Sequence, residues 1–377
     1  MTISTENIKQ KAIELGFNLV GLTRAEPSPM LNAYHRWIEQ GMHGKMGYLE
    51  RPDRIIRRED LNNIVSNAQS IIMVGMDYRT REIAPEILHD PTRGRIANYA
   101  WGLDYHDILE PRLEQFAQWI ATEAKGKIDH KVYVDTGAIL ERSHAQQAAM
   151  GFIGKNTMLI HPRRGSYFFL GEIITSLELD TYDEPQRQTM CGTCTRCLKA
   201  CPTDAFPKPH ILDARLCISY HTIENKGWID QYLRSKFGNW VFGCDICQEV
   251  CPFQRFSPTA QEKRFFPIDS DRAAPPLVDL LTLDDVRFKA HYDGSPIYRI
   301  RRKQLVRNAC IAAGNSHDSQ FIPYLIQLLY DSEPLVRGHA AWGLWQIMGQ
   351  SAVKQLNELY YREEDEAVRD ELERLLA

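Results

Sequence analysis

Four cysteines fall within eleven positions of "MCGTCTRCLKACPTDAF" (190–206), spaced Cys191-x-x-Cys194-x-x-Cys197-x-x-x-Cys201-Pro202. In bacterial ferredoxins this spacing wraps three thiolates around one 4Fe-4S cubane, while the fourth, just before proline, turns to a second cluster. A later run, "FGCDICQEVCPFQRF", carries Cys244-x-x-Cys247-x-x-x-Cys251-Pro252 and lacks only the first cysteine of the pattern. Cys217, in "DARLCISY", is the unassigned thiol nearby and completes the set. Crossed ligation then predicts one cluster on Cys191, Cys194, Cys197 and Cys251, and another on Cys201, Cys217, Cys244 and Cys247. Zinc would need only four thiolates, usually as two separated pairs, and disulfides belong to oxidising compartments. Two such clusters form an electron relay, and a relay needs a terminus where chemistry happens. The ninth cysteine, Cys310, lies in a helical pattern and reads as a small core residue.

The terminus is sought before the cysteines. "KVYVDTGAILER" puts Asp135 at the end of a predicted strand, followed by Glu141 and Arg142. Asp135 could cap the next helix, or serve as a general acid if burial raises its proton affinity; local sequence leaves both open. "YAWGLDYHD" offers Asp104, Tyr105 and His106, where the histidine could orient a substrate, ligate a metal or simply be hydrogen-bonded. "FIGKNTMLIHPRRGSYFFLGE" combines a Gly-Lys-Asn-Thr turn with a Pro-Arg-Arg-Gly hairpin signal, but has neither a Walker frame nor a Gly-x-Gly-x-x-Gly frame. "RIRRKQLVR" gathers Arg299, Arg301, Arg302, Lys303 and Arg307 with no acid among them, and "RPDRIIRR" (51–58) is a second basic stretch. Such runs are usually solvated faces, though both could meet phosphates.

The elements that must position these groups follow from periodicity. "NIKQKAIELG" sets Ile8, Ala12 and Leu15 on one helical face and stops at Gly16; "SIIMVGMDY", "KVYVDTG" and "SYFFLGEIITSLEL" read as strands; "AILERSHAQQAAMGF" reads as a helix. The expected organisation is an α+β multidomain chain: an N-terminal domain of mixed strands and helices at 1–185, a ferredoxin-like two-cluster module at 186–262, a linker at 263–296 marked by "DSDRAAPPLVDLL", and helical repeats at 297–377. In the last segment a Val-Arg pair recurs at 306/307, 336/337 and 368/369, and amphipathic helices "FIPYLIQLLYD" and "AVKQLNELYY" precede the second and third, giving HEAT-like helix pairs of short period. Two or three domains suit 377 residues. A net charge of -4 gives no overall attraction to nucleic acid, so an anionic partner must meet a local patch. No signal peptide or long apolar run is visible, which makes a cytoplasmic protein the expectation.

Taken together, "GLDYH", "VDTGAILER", "GFIGKNTMLI", "GSYFFLGE", "CGTCTRCLKACPT", "CISYHTIE" and "FGCDICQEVCPF" resemble, in order, the epoxyqueuosine reductases, which complete queuosine synthesis on tRNA. The resemblance covers nearly the whole chain. It implies a nitroreductase-like N-terminal domain holding cobalamin, fed by the two 4Fe-4S clusters, with a tRNA anticodon loop presenting epoxyqueuosine at position 34. An Asp-x-His-x-x-Gly signature is absent, because His106 is followed by "DIL". The cobalamin would therefore be base-off, without a ligand from that motif.

By the same resemblance the proton donor falls on Asp135. Cobalamin contacts fall on Arg57, Asn156, Thr157, Met158, Tyr167, Phe169, Ser219, Tyr220 and His221, and the substrate pocket on Asp104, Tyr105, His106 and Arg142. Arg299, Arg301, Arg302, Lys303 and Arg307 become the expected tRNA contacts. An external donor such as flavodoxin or ferredoxin would supply electrons to a monomeric enzyme. Two rivals remain: a corrinoid iron-sulfur reductase of a small molecule, which leaves the repeats idle, and a non-catalytic electron carrier, which leaves the N-terminal domain idle.

Overall fold

The computed structural model describes residues 3–80, 82–124, 126–185 and 189–377. The chain forms two compact units, each assembled from separated segments: Met1–Thr80, Leu103–Arg215 and Ile246–Phe266 make the first, and Arg81–Gly102, Leu216–Asp245 and Pro267–Ala377 the second.

In the first unit, helix α1 (Thr5–Glu14) starts at Ser4, whose hydroxyl accepts the Asn7 N–H at 3.2 Å, and buries Ile8 and Ala12. Strands β1 (Leu19–Arg24), β2 (Ser70–Asp77), β3 (His130–Tyr133) and β4 (Phe168–Thr175) form an antiparallel sheet in the order β1-β2-β4-β3. The central strands β2 and β4 are almost wholly buried, which is why their sequences read as near-continuous apolar runs. Helix α2 (Pro52–Glu59) carries Arg57. Helix α3 (Tyr105–Glu123) packs on one sheet face, so close that a Cβ at Gly171 would lie 2.6 Å from Leu113. Helix α4 (Glu141–Gln147) contributes to the core on the other face, where Ala145 joins Ile71, Met73, Ile139, Phe168 and Ile174. The helix expected directly after Asp135 therefore begins six residues later. Its start at Leu140 has no side-chain cap, so Asp135 does not cap it. The same unit holds the short cysteine-bearing helices Arg196–Ala200 and Ile246–Glu249, which pack together.

In the second unit, Arg95–Ile96 pairs in parallel with Trp240–Phe242, beside helix α5 (Ile218–Ile223). Helices α6 (Arg301–Ser316), α7 (Ile322–Leu328), α8 (Pro334–Met348), α9 (Val353–Arg362) and α10 (Glu366–Leu376) follow, with α6 packed on α8 and α8 on α10. The repeated Val306, Val336 and Val368 are all fully buried. The segment expected to be a linker at 263–296 is folded. Leu277–Leu281 and Asp285–Tyr292 are helical, Ala273, Ala274 and Leu277 are fully buried, and the Ala273 carbonyl accepts the Ile96 N–H. Pro276 bridges to Arg93 and stands at the N-cap of the Leu277–Leu281 helix, so proline there marks a turn between packed elements. Among the described residues, no helix is long and apolar enough to cross a membrane.

Candidate active site and cluster cavity

Cys191, Cys194, Cys197 and Cys251 line one cavity of about 210 Å³ in the first unit, together with Lys155, Asn156, Arg196 and Phe253. Among the described residues no group of three or more His, Cys, Asp or Glu side chains is gathered for a single ion. The four thiols instead surround a space, as a multi-iron cluster needs. Burial pushes the Cys197 and Cys251 thiols upward and neighbouring cysteines add to it, so their thiolates are favoured only beside a cation. Lys155 donates its backbone N–H to Cys191 Sγ at 3.4 Å, while its Nζ holds the Gly192 and Cys194 carbonyls at 2.7 and 2.9 Å. The donor set, the cavity and the N–H to sulfur bond fit a 4Fe-4S cluster. Of the other four cysteines, Cys201 and Cys247 belong to the first unit and Cys217 and Cys244 to the second. Cys201 Sγ accepts the Ala205 N–H at 3.4 Å. Cys310 is fully buried in α6, where burial pushes its thiol upward.

Asn156 is buried and donates to the Cys247 carbonyl at 3.1 Å. The Gly-Lys-Asn-Thr segment is a tight turn closed by the Thr157 N–H on the Gly154 carbonyl (2.9 Å), with Thr157 at φ 66°. Met158 is half-buried. The Thr157 carbonyl receives Arg142 Nη1 at 2.7 Å. One turn thus touches the cysteine cavity at Lys155 and the start of α4 through Thr157. Arg142 itself reaches solvent.

Asp135 follows β3 at φ 60°, and the Thr136 N–H bonds to the Val134 carbonyl at 2.6 Å. This is a three-residue turn with a left-handed apex, a strained conformation that proteins retain where it serves a purpose. Arg54 of α2 donates to the Thr136 carbonyl at 2.9 Å and steadies the loop. The Asp135 side chain is 52% exposed, so the protein alone does not bury it. His106 Nε2 lies 4.0 Å from Asp135 Oδ2, and its Nδ1 lies 2.8 Å from Asp104 Oδ1. Asp104 caps α3 through the His106 N–H, which fixes this Asp104-His106-Asp135 row at the helix start. Tyr105 stacks on Phe169 (4.4 Å between centroids), and Phe169 also meets Tyr78 and Phe265, while Tyr167 meets Tyr78. Asp104, Tyr105, His106, Asp135, Tyr167 and Phe169 all belong to the first unit, as do Arg57, Arg142 and Asn156 through Met158.

Ser219, Tyr220 and His221 lie on α5 in the second unit. Tyr220 and His221 are buried, and His221 Nδ1 is 3.2 Å from Asn225 Nδ2. Two of the five cations expected to meet tRNA are corrected by the structure. Arg307 is fully buried and donates to the carbonyls of His221, Asn225 and Gly227 at 2.6 to 2.7 Å. Arg302 forms a forked, mostly buried bridge to Asp331 at 2.5 and 2.9 Å. Both are committed to packing the repeats. Lys303 pairs with Glu333 at 3.1 Å, Arg299 pairs with Glu224 at 3.0 Å yet stays exposed, and Arg301 is exposed.

Sequence reasoning assigned no role to Lys155, Glu141 or Glu172. Glu172 is fully buried in the middle of β4, and an acid at a core-facing position of "FFLGEIIT" was the available signal.

Comparison with known proteins agrees with this layout. A 4Fe-4S double cluster binding domain model matches residues 190–254, a HEAT repeats model matches 301–377, and the model "Epoxyqueuosine reductase QueG, DUF1730" matches 58–136. An epoxyqueuosine reductase of Xanthomonas campestris pv. campestris is 37% identical over 349 residues, covering 92% of this chain and 96% of the relative. The chain belongs to the epoxyqueuosine reductase family. It is an oxidoreductase of that family, which sets aside the small-molecule dehalogenation and electron-carrier readings. Among solved structures, epoxyqueuosine reductase with a tRNA-Tyr epoxyqueuosine-modified stem loop aligns with a TM-score of 0.89 at 32% identity, over 98% of this chain and 97% of that one. The Bacillus subtilis epoxyqueuosine reductase, captured with its catalytic-aspartate loop swung out of the active site, aligns at 0.88 with 31% identity, over 98% and 97%.

Proposed function

We propose that this enzyme reduces epoxyqueuosine at tRNA position 34 to queuosine, with Asp135 as the proton donor. The observation that carries the assignment is Asp135 itself: a carboxyl at the apex of a strained turn, beside His106 and within the family's "VDTG" segment. The reaction adds two electrons and two protons to the epoxide, breaks both carbon-oxygen bonds and yields an alkene and water. Oxygen leaves readily only when protonated, so a donor must sit at the epoxide oxygen. The half-exposed Asp135 would be shut off from water by the docked anticodon loop.

Electrons come one at a time from a flavodoxin- or ferredoxin-type donor through two clusters, on Cys191, Cys194, Cys197 and Cys251 and on Cys201, Cys217, Cys244 and Cys247. The first unit is read as a nitroreductase-like domain that holds base-off cobalamin. The turn at Asn156, Thr157 and Met158, the aromatic group of Tyr105, Tyr167 and Phe169, and Arg57 fit a flat, partly polar macrocycle, with Ser219, Tyr220 and His221 as further contacts. When bound, cobalamin supplies a low-valent cobalt able to pass electrons to the epoxide carbon. Asp104 orients His106, His106 faces Asp135, and Arg142 with Tyr105 lines the nucleoside pocket. Arg299, Arg301 and Lys303 are the surface cations proposed for the tRNA backbone. The working form is read as a cytoplasmic monomer.

The test is anaerobic: purified protein, cobalamin, a reductant and tRNA carrying epoxyqueuosine. Conversion to queuosine is expected from the native chain. Asp135→Asn should retain iron and cobalamin but lose turnover, and a variant with near-native rates would refute the assignment.

A further inference from the structure

The Gly-Lys-Asn-Thr turn gives Asn156 and Thr157 to the proposed cofactor site and leaves Lys155 with no part in it. Its backbone is fixed from several sides. The Thr157 N–H closes on the Gly154 carbonyl at 2.9 Å, the Gly154 N–H on the Met158 carbonyl at 2.8 Å, and the His210 N–H donates to the Lys155 carbonyl at 3.0 Å. Asn156 ties the same turn to the Cys247 carbonyl at 3.1 Å. There is little room for it to shift, since a Cβ at Gly154 would lie 2.5 Å from Ile160 and 2.7 Å from Asn156.

So anchored, Lys155 reaches the first ligand loop by three hydrogen bonds. Its backbone N–H donates to Cys191 Sγ at 3.4 Å, and its Nζ donates to the Gly192 carbonyl at 2.7 Å and the Cys194 carbonyl at 2.9 Å. The Cys194 N–H already returns to the Cys191 carbonyl at 3.0 Å, so the lysine closes over a loop turned on itself. Among the described residues Nζ has no carboxylate partner, and its charge faces the ligand loop alone. Lys155 is half-buried, whereas Arg196, which lines the same cavity, is exposed and open to screening by salt.

We propose that Lys155 is a positioning residue for the electron relay: its ammonium holds up the reduction potential of the cluster on Cys191, Cys194, Cys197 and Cys251. The inference rests on the ligand set proposed for that cluster. Four thiolates make the loaded site anionic, and each electron it accepts makes it more so. The electron comes from the one-electron protein carrier proposed above; no bond forms or breaks and no proton moves. A fixed cation beside the site favours the more negative form, as does an N–H on a ligating sulfur, and both raise the potential. Every side-chain replacement at 155 leaves the backbone N–H in place, so the contribution of the ammonium can be read separately.

The test is a redox titration of the full, cluster-loaded chain, followed by electron paramagnetic resonance. The signal that Cys251→Ser removes identifies the first cluster. Lys155→Gln and Lys155→Met should keep their iron and show a midpoint potential lower by about 59 mV, a tenfold fall in the reduced-to-oxidised ratio of a one-electron couple at fixed potential. Lys155→Arg keeps the charge and should titrate close to the native protein. A Lys155→Gln protein with full iron and the native potential overturns the proposal, as does a Lys155→Arg protein displaced as far as Lys155→Gln. Loss of iron from both neutral variants, with retention in Lys155→Arg, would make Lys155 a clamp for assembly and also overturns the tuning role. If Cys251→Ser keeps full iron, the ligand set itself fails; if Cys251→Ser loses a cluster while Lys155→Gln titrates as the native protein does, only the role of Lys155 fails.

Discussion

Replacing Arg307 with methionine separates a packing role from a tRNA-binding role. The guanidinium is fully buried and bonds to three backbone carbonyls, on His221, Asn225 and Gly227, and to Asn308 Oδ1. Methionine fills most of the volume but donates nothing, leaving buried acceptors unpaired at about 1–3 kcal/mol each. Part of this is offset because the cation no longer has to be desolvated: burial, then the nearby Arg234, already lowers Arg307 to about 9. A net loss of about 3 kcal/mol is expected, or roughly 10 °C in Tm for a unit of this size. Differential scanning fluorimetry under anaerobic conditions reads the shift. The salt dependence of KM for tRNA should keep its slope, because a buried side chain neutralises no phosphate. Arg301→Glu should do the reverse, raising KM steeply at low salt with little change in Tm. An Arg307→Met protein with native Tm, but weaker tRNA binding and a salt slope smaller by about one, would refute the packing assignment.

Cys251→Ser should cost the first cluster and so about half of the bound iron, with the charge-transfer absorption falling in proportion; full iron content would break the proposed ligand set. Asp77 of β2 is nearly fully buried, and although Arg164 lies 2.5 Å away, burial dominates and raises it from 3.8 to about 6. A raised acid contributes its stability below its unfolded pKa and loses it as pH rises. The native protein should therefore lose up to about 3 kcal/mol between pH 4 and 6 relative to Asp77→Asn, measured by urea unfolding at each pH. Parallel curves for the two proteins would count against this.

The cysteine pattern was legible because cluster ligands are set by local spacing, and Cys191, Cys194 and Cys197 sit on one turn of chain that any reader of the sequence can count. Central strands were legible for a similar reason, since residues 71–76 of β2 and 168–174 of β4 are apolar apart from Glu172. Residues whose meaning comes from distant partners were not. Arg302 and Arg307 look like surface cations in "RIRRKQLVR", yet Asp331 and the 221–227 backbone lie elsewhere in the sequence. "DSDRAAPPLVDLL" resembles a linker because prolines are frequent there, whereas its alanines and leucines are core. Asp135 offered a helix-cap reading that failed because the chain spends five residues in turns before α4 begins. Glu172 needed the strand register: only opposite Met73 and Tyr133 does its burial become evident.

The C-terminal repeats are more than a docking platform. From α6, Arg307 grips the backbone of His221 and Asn308 binds the carbonyls of Thr222 and Val241 at 3.0 and 2.8 Å. Cys217 immediately precedes the first of these anchored segments, and Cys244 closely follows the second. Trimming the helical tail to obtain a minimal reductase would cut the braces behind two cysteines. Deficient iron loading, before any defect in recognising RNA, would be the earliest sign of damage in that tail.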